Sequence, residues 1–141
     1  MIVRPSRDRA ELDAALDLRL EVFCGEQGVS REAEQDGRDD EALHLVALDA
    51  GAVVGTCRLL TDDGHLRVQR VAVRNDRRRT GIGAELLAEA ERQARRRGAA
   101  ALELHAQVES EVFYRNAGYE SVGDPFLEEG IEHVAMRRAL T

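Results

Sequence analysis

Hydrophobic and polar residues alternate with a changing period along the chain, and each change of period predicts an element boundary. Residues 2–6 (IVRPS) indicate a short edge strand that ends at Pro5, because proline cannot donate a hydrogen bond to a strand ladder. Residues 7–28 repeat apolar side chains at helical spacing, and residues 29–42 are acidic and weakly periodic, as in a short helix followed by a loop. The first helix is expected to have Ser6 or Asp8 as its N-cap and to stop at Gly25 or Gly28. Its inward side chains are expected to be Leu12, Ala15, Leu16, Leu20 and Phe23.

From residue 43 onward the apolar positions have the period of two that is typical of strands. Residues 43–60 contain two apolar runs separated by DAGA, which is a hairpin signal, and residues 65–73 form a third run after the turn TDDG. An extra residue between Val68 and Val71 interrupts the alternation of the third run, which suggests a β-bulge. We therefore expect three consecutive strands here, the last of them bulged.

The remaining residues predict two more helices and three more strands. A strongly amphipathic helix is expected over residues 83–98, with Gly98 at its end. Its inward side chains are Leu86, Leu87, Ala90 and Ala94. The other elements are a buried strand (100–107), a helix (109–118) and a final pair of strands (119–123 and 131–140). We expect one α/β domain, residues 1–141, with the element order βαα-βββ-α-β-α-ββ.

The composition fits a protein with its own hydrophobic core. The chain has 141 residues, 43% of them hydrophobic, which suits one domain. No apolar run approaches the roughly 18 residues that cross a bilayer, and the N-terminus has no secretory signal pattern. We therefore expect a cytoplasmic location and no membrane partner. Cys24 and Cys57 have no CxxC spacing and are expected to be buried free thiols.

Charge and histidine spacing argue against two further classes of protein. The net charge of −7 opposes binding to a phosphate backbone, so no nucleic-acid partner is expected and any anion must be bound locally. The four histidines include no HxH or HxxxH pair, so no metal site is expected.

Residues 75–87 (NDRRRTGIGAELL) place three arginines before a Gly-x-Gly step and an amphipathic run. A Rossmann fingerprint needs a third glycine where Leu86 stands, and a P-loop needs a lysine, which the chain lacks entirely. Gly81 and Gly83 have no Cβ, so a ligand can approach the backbone N–H groups at the helix start, where the helix dipole favours phosphate oxygens. From these residues alone, a small anion site and a solvated turn both stay open.

The stretch RRTGIG, residues 78–83, resembles the pattern Arg/Gln-x-x-Gly-x-Gly/Ala of the GNAT (GCN5-related N-acetyltransferase) family. Further stretches resemble its ElaA-like branch in order and spacing: VFCGEQGV, DEALHLVA, HAQ, FYRNAGY and FLEEGIEHVAM. The resemblance implies the GNAT acyl-CoA N-acyltransferase fold, with a central mixed, mostly antiparallel sheet flanked by helices.

The resemblance also implies roles for individual residues. In the family, the loop holds the pyrophosphate of the co-substrate acetyl-CoA, and the strand before it receives the pantetheine arm and the thioester. Tyr114 is expected near the sulfur as general acid, and Phe113 beside it in the core. Gln107 ends a strand, where its amide either bonds the pantetheine arm or closes the strand. The cofactor-binding residues expected on this basis are Val71, Ala72, Val73, Arg78, Arg79, Thr80, Gly81, Ile82, Gly83 and Gln107.

Several residues are candidates for the general base. Glu26, just after the first helix, and His133, on the last strand, come first, and His44 or a water relay are alternatives. The acidic run, residues 32–41 (EAEQDGRDDE), would favour a cationic acceptor if it borders the pocket.

Acyl transfer to an amine requires a neutral nucleophile, a polarised carbonyl and a proton for the departing thiolate. The expected function is transfer of an acetyl group from acetyl-CoA to the amine of a small-molecule or peptide acceptor, directly within a ternary complex. A non-catalytic acyl-CoA binding or sensing protein is the alternative. Formation of a homodimer is left open.

Overall fold

The computed structural model describes residues 1–140 and shows seven strands in one sheet, in the order β1-β2-β3-β4-β5-β7-β6. The strands are β1 (Ile2–Pro5), β2 (Leu43–Asp49), β3 (Ala52–Asp62), β4 (His65–Val73), β5 (Ala101–Gln107), β6 (Glu120–Glu128) and β7 (Ile131–Ala139). The α-helices are α1 (Arg9–Arg19), α2 (Arg31–Glu34), α3 (Ile82–Arg96) and α4 (Glu111–Asn116), and a π-helical segment, Leu20–Glu26, continues α1. Neighbouring strands are antiparallel except for β4 and β5, which are parallel. The predicted element order and the mixed, mostly antiparallel sheet are confirmed.

Two-residue turns join β2 to β3 and β3 to β4. Ala50 and Gly51 have φ of 51° and 81°, and Asp63 and Gly64 have φ of 51° and 78°. A type I′ turn needs positive φ at both central residues, and its twist matches that of the strands it joins. The hairpins predicted from DAGA and TDDG are therefore present.

Helices cover both faces of the sheet, and strand residues alternate between those faces. Leu45 and Ala47 of β2 pack in the core under α3, whereas Val46 and Leu48 pack towards α1. The predicted inward face of α3 is confirmed by burial of Leu86, Leu87, Ala90 and Ala94. Full burial of each leucine in this core contributes about 1.5–3 kcal/mol. No helix within residues 1–140 is long and apolar enough to cross a membrane.

The two cysteines differ in burial. Cys57 lies in the core under α3, where desolvation raises the pKa of its thiol to about 12. Cys24, on the π-helical segment, is only partly buried. The expectation of a buried thiol is therefore met by Cys57 alone.

The first helix is rotated from the predicted orientation, because Ala15 is the only one of its five predicted inward residues that is fully buried. Asp8 is its N-cap, as one of the two predicted alternatives, and its carboxylate accepts from the Glu11 N–H at 2.9 Å. The buried residues of α1 and its π-helical continuation are Ala15, Leu18, Arg19 and Val22, while Leu12, Leu16, Leu20 and Phe23 are only partly buried. An apolar pattern does not reveal this face, because Arg19 is buried through its ion pairs and not through hydrophobicity.

Strand β6 is longer than predicted. It continues beyond residue 123 to Glu128, with an irregularity in its pairing with β7 between Val122 and Phe126. Gly123 and Pro125 lie at this irregularity, and the sequence pattern treats both as strand breakers. They are tolerated because β6 is an edge strand, where missing ladder hydrogen bonds do not disrupt a neighbour.

Candidate active site

Strands β4 and β5 separate towards their C-terminal ends. They are adjacent and parallel, yet they pair only at Arg67 and Glu103. Beyond this pair, the facing edges of the two strands have no ladder partner within residues 1–140. Backbone N–H and C=O groups require hydrogen-bond partners, so these edges are available to an extended ligand.

A β-bulge in β4 confirms the irregularity predicted between Val68 and Val71. Arg70 and Val71 together oppose Cys57 of β3, and Arg70 has φ of 57°. The extra residue shifts the alternation of side chains along the strand. As a result Gln69 and Arg70 both reach the side of the sheet on which α2 lies.

The acidic run, residues 32–41, folds over that side of the sheet, and its inward carboxylates are neutralised by arginines. The ion pairs join Glu34 to Arg19 (2.8 Å) and Arg70 (2.9 Å), Asp36 to Arg58 (2.6 Å), and Asp39 to Arg19 (2.7 Å) and Arg58 (2.9 Å). Arg19 and Arg58 are 1% and 0% exposed, and charges this deeply buried are tolerated only when they are paired. A hydrogen bond from Arg58 holds the pKa of Asp36 well below its usual range. The run therefore borders the site, and its two cavity-lining carboxylates, Glu34 and Asp36, are both neutralised by arginines.

A cavity of about 380 Å³ lies where β4 and β5 separate. Its floor includes Gln69 of β4, His105 and Gln107 of β5, and His133 of β7. Phe23, Val29 and Ala33 contribute to one wall, and Tyr114 of α4 also lines the cavity. The cavity thus joins a partly buried phenol to two histidines.

The Gly-x-Gly step forms the start of α3. Gly81 has φ of 89° and occupies the N-cap position, where it has no side chain that could accept from the first N–H groups of the helix. The first N–H groups of a helix have no intrahelical partner, so those following Gly81 are open to an acceptor. Ile82 is buried against β3, since a Cβ on Gly55 would lie 2.7 Å from its side chain. Gly83 lies under Phe113, because a Cβ there would lie 2.9 Å from the ring.

The arginines of the loop have different surroundings. Arg78 donates to the carbonyl of Val73 at 3.1 Å and forms an ion pair with Glu26 at 2.7 Å. The Thr80 hydroxyl donates to the carbonyl of Arg77. Arg79 is exposed, and its guanidinium has no hydrogen-bond or ion-pair partner in the described part of the chain. Arg79 is therefore the loop arginine whose charge is available to a ligand.

The two first candidates for the general base are placed differently. Glu26 contacts Arg78 and does not line the cavity, whereas its neighbour Gln27 lines it and accepts from the Gln107 amide at 2.7 Å. His133 lines the cavity and is 8% exposed. Its Nδ1 lies 2.7 Å from the Ile131 carbonyl oxygen, which favours the tautomer protonated at Nδ1 and leaves Nε2 as an acceptor.

His44 and His105 also differ in their position relative to the cavity. His44 is buried outside the cavity, with Nε2 2.9 Å from the Asp39 carbonyl oxygen. His105 lines the cavity, with Nδ1 3.0 Å from a carboxylate oxygen of Glu128. The sequence did not single out His105 and Glu128 as site residues. Alternation along β5 puts His105 on the same face as Gln107, and this was the available signal for it.

Tyr114 and Phe113 pack edge to face, with ring centroids 5.0 Å apart. Burial raises the pKa of Tyr114, so its phenol stays protonated at neutral pH. Phe113, expected in the core, is instead 39% exposed. The short helix α4 brings only one side chain of this adjacent pair into the cavity, and Phe113 covers the start of α3.

Comparison with known proteins shows the family and the fold of this chain. Residues 8–140 match the family model of the acetyltransferase (GNAT) domain. The uncharacterized N-acetyltransferase YjcF of Bacillus subtilis is 32% identical over 134 residues, which cover 94% of this chain and 96% of YjcF. The crystal structure of an acyl-CoA N-acyltransferase from Pseudomonas aeruginosa is 31% identical, with a TM-score of 0.88 over 99% of this chain and 100% of that one.

The crystal structure of Escherichia coli ElaA has the same fold, with a TM-score of 0.87 at 23% identity over 98% of this chain and 99% of ElaA. The family match spans nearly the whole described chain and includes both the loop at the start of α3 and the separating strands. This chain belongs to the GNAT family of acetyltransferases.

Proposed function

We propose that the protein transfers an acetyl group from acetyl-CoA to the amine of a small-molecule or peptide acceptor, directly within a ternary complex. Its family is that of GNAT-type N-acetyltransferases, which use acyl-CoA and act on amines. The observation that carries the proposal is that Tyr114 and His133 line the same cavity, where β4 and β5 separate. The reaction needs a proton donor and a proton acceptor, and a protonated phenol and an imidazole can supply these two functions.

The start of α3 supports binding of the pyrophosphate of acetyl-CoA. The open N–H groups after Gly81 and the positive end of the helix dipole favour phosphate oxygens. Arg79 adds an unpaired charge, and Arg78 holds the loop against the end of β4. Thr80, Ile82 and Gly83 shape the loop through their own contacts.

The free edge of β4 supports binding of the pantetheine arm and the thioester. Backbone N–H groups alternate between the two edges of a strand, and the Arg74 N–H donates to the carbonyl of Val54 in β3. Of residues 71–73, Ala72 therefore directs its N–H to β3, whereas Val73 directs its N–H to the edge that faces the opening. Such donors stabilise the negative charge that develops on a carbonyl oxygen during acyl transfer. Gln107 stands across the opening at the end of β5. We assign it to the pantetheine arm, with Gln27 holding its amide.

The proposed chemistry uses one proton donor and one proton acceptor. The amine nitrogen attacks the thioester carbonyl carbon, and the carbon–sulfur bond breaks. Tyr114 gives its proton to the departing thiolate, while Nε2 of His133 takes the proton that the amine loses. An imidazole suits this task because it can accept a proton at neutral pH. A base acting through a water molecule and Glu26 are the alternatives to His133.

The test is release of coenzyme A over a panel of polyamines, amino acids and peptides. We expect turnover with at least one amine, and Tyr114→Phe lowers kcat roughly 10²-fold without changing acetyl-CoA affinity. Tyr119→Phe is the matched control, because Tyr119 packs beside Tyr114 but does not line the cavity. Binding of acetyl-CoA with no turnover on any amine would instead assign a binding or sensing role. The cytoplasmic location stays a prediction, and formation of a homodimer stays open.

A further inference from the structure

Arg67 on the cavity floor is less well neutralised than its neighbouring arginines. Its Nη1 lies 3.5 Å from Nε2 of His105 and 3.9 Å from the Asp62 carboxylate. Its Nε is buried and has no hydrogen-bond partner within residues 1–140. Arg58 and Arg70, by contrast, contact carboxylates at 2.6 Å and 2.9 Å. Arg67 is therefore a cavity cation with unused capacity for an anion.

Glu128 is the cavity carboxylate that contacts the histidines, and its neighbour Glu129 also lines the cavity. It comes from the end of β6 and is 45% exposed on its side chain. One oxygen lies 3.0 Å from Nδ1 of His105, and the other lies 3.7 Å from Nε2 of His133. The nearby carboxylates of Glu34 and Asp36 are held by arginines, so they do not compete with Glu128 for a cation.

The imidazole of His105 stands between these two charges. Its Nε2 faces Arg67 and its Nδ1 faces Glu128, so the guanidinium and the carboxylate lie at opposite edges of one five-membered ring. A molecule with an amine and a carboxylate a few bonds apart can span this separation. All three side chains line the same cavity as His133, the proposed base.

We infer that the acceptor is a small amine that also carries a carboxylate, bound with its carboxylate on Arg67 and its ammonium on Glu128 beside His133. This inference rests on the proposed acetyl transfer. A guanidinium matches a carboxylate in geometry and charge, and a carboxylate beside the base holds the ammonium where it loses its proton. A purely cationic acceptor would leave Arg67 facing it without compensation.

The experiment compares small amino acids with their own carboxamides, which lack only the negative charge. We expect wild-type protein to acetylate the acids, and Arg67→Gln to lower kcat/KM for the acids roughly 10- to 100-fold while leaving the carboxamides unchanged. The amine of an amino acid and that of its carboxamide differ in basicity. This difference cancels when kcat/KM of the variant is divided by that of wild type for each substrate. Arg67→Lys keeps the charge and restores part of the activity on the acids. Arg92→Gln, on the exposed side of α3, is the matched control and changes neither rate.

Two results would overturn the inference in distinguishable ways. In the first, Arg67→Gln lowers kcat/KM equally for acids and carboxamides, and a thermal melt shows that the variant is folded. This result would contradict the contact between Arg67 and a carboxylate but would leave the proposed acetyl transfer unaffected. In the second, wild-type protein acetylates carboxamides but not acids, which would likewise contradict the carboxylate contact while supporting acetyl transfer. No release of coenzyme A with any amine overturns the proposed function together with the inference.

Discussion

Nη1 of Arg78 lies 2.7 Å from a carboxylate oxygen of Glu26. This ion pair joins the loop before α3 to the end of the helical segment that begins at α1. It also makes partners of two residues for which the sequence suggested separate roles, in phosphate binding and in proton transfer. The Glu26 carboxylate is thereby held at the loop and outside the cavity.

Glu26→Gln should preserve catalysis. The variant loses the charge of the pair but keeps the size of the side chain, and it does not alter the cavity. We expect kcat and its pH profile to match wild type, measured by steady-state release of coenzyme A. A general base contributes roughly 10²- to 10⁴-fold, so a loss of that size in Glu26→Gln would transfer the base role from His133 to Glu26.

His133→Gln should lower kcat at least about 10²-fold, because the variant cannot take the amine proton. The limb of the pH–rate profile that reports protonation of the base should disappear with it. His44→Gln is a control of the same residue type, since His44 lies outside the cavity. An unchanged pH profile in His133→Gln would favour a base that acts through water.

Arg79→Gln should weaken acetyl-CoA binding and leave the chemical step intact. The loss of one exposed charge contact should raise KM for acetyl-CoA roughly three- to tenfold, with less effect at high salt. Titration calorimetry with coenzyme A measures the same change directly. Equal affinity in Arg79→Gln and wild type at low salt would show that the backbone of the loop binds the phosphates without this side chain.

Arg19→Met should destabilise the fold strongly. The variant leaves Glu34, which is 2% exposed, without one of its two arginine partners, and breaking a buried pair costs about 3–5 kcal/mol. Urea unfolding measures the difference in free energy of unfolding. Arg9→Met removes an ion pair between exposed side chains and should change this quantity by less than about 1 kcal/mol.

Stability should fall in acid through Asp36. Because Arg58 lowers the pKa of Asp36 in the folded state, the carboxylate stays charged there to a lower pH than in the unfolded chain. Asp36 makes its full contribution to the free energy of unfolding above the pKa of an aspartate in the unfolded chain, about 3.9. This contribution is lost progressively as the pH falls from there towards the lower pKa of the folded state. Thermal melts from pH 7 to pH 3 should show a smaller acid decrease in Asp36→Asn than in wild type. The exposed Asp40→Asn should follow wild type.

Local patterns determined most of the fold. The element order, the hairpins at residues 50–51 and 63–64 and the inward face of α3 follow from the spacing of apolar residues and from turn chemistry, which act over a few neighbouring residues. The same is true of the bulge at Arg70 and of the helix start at Gly81. The loop motif was readable because its glycines and its helix are contiguous in sequence.

The sequence by itself thus determined the family, the strand and helix order and the loop at the start of α3. The tertiary structure alone decided that Arg19 is buried, that Arg78 pairs with Glu26, and that His105 and Glu128 meet in the cavity. These contacts join residues far apart in the chain, and their energies depend on burial and on charge partners that no local pattern encodes. Which charged side chains are free to bind a ligand is known only when the ion pairs between the other charged side chains have been identified in the tertiary structure.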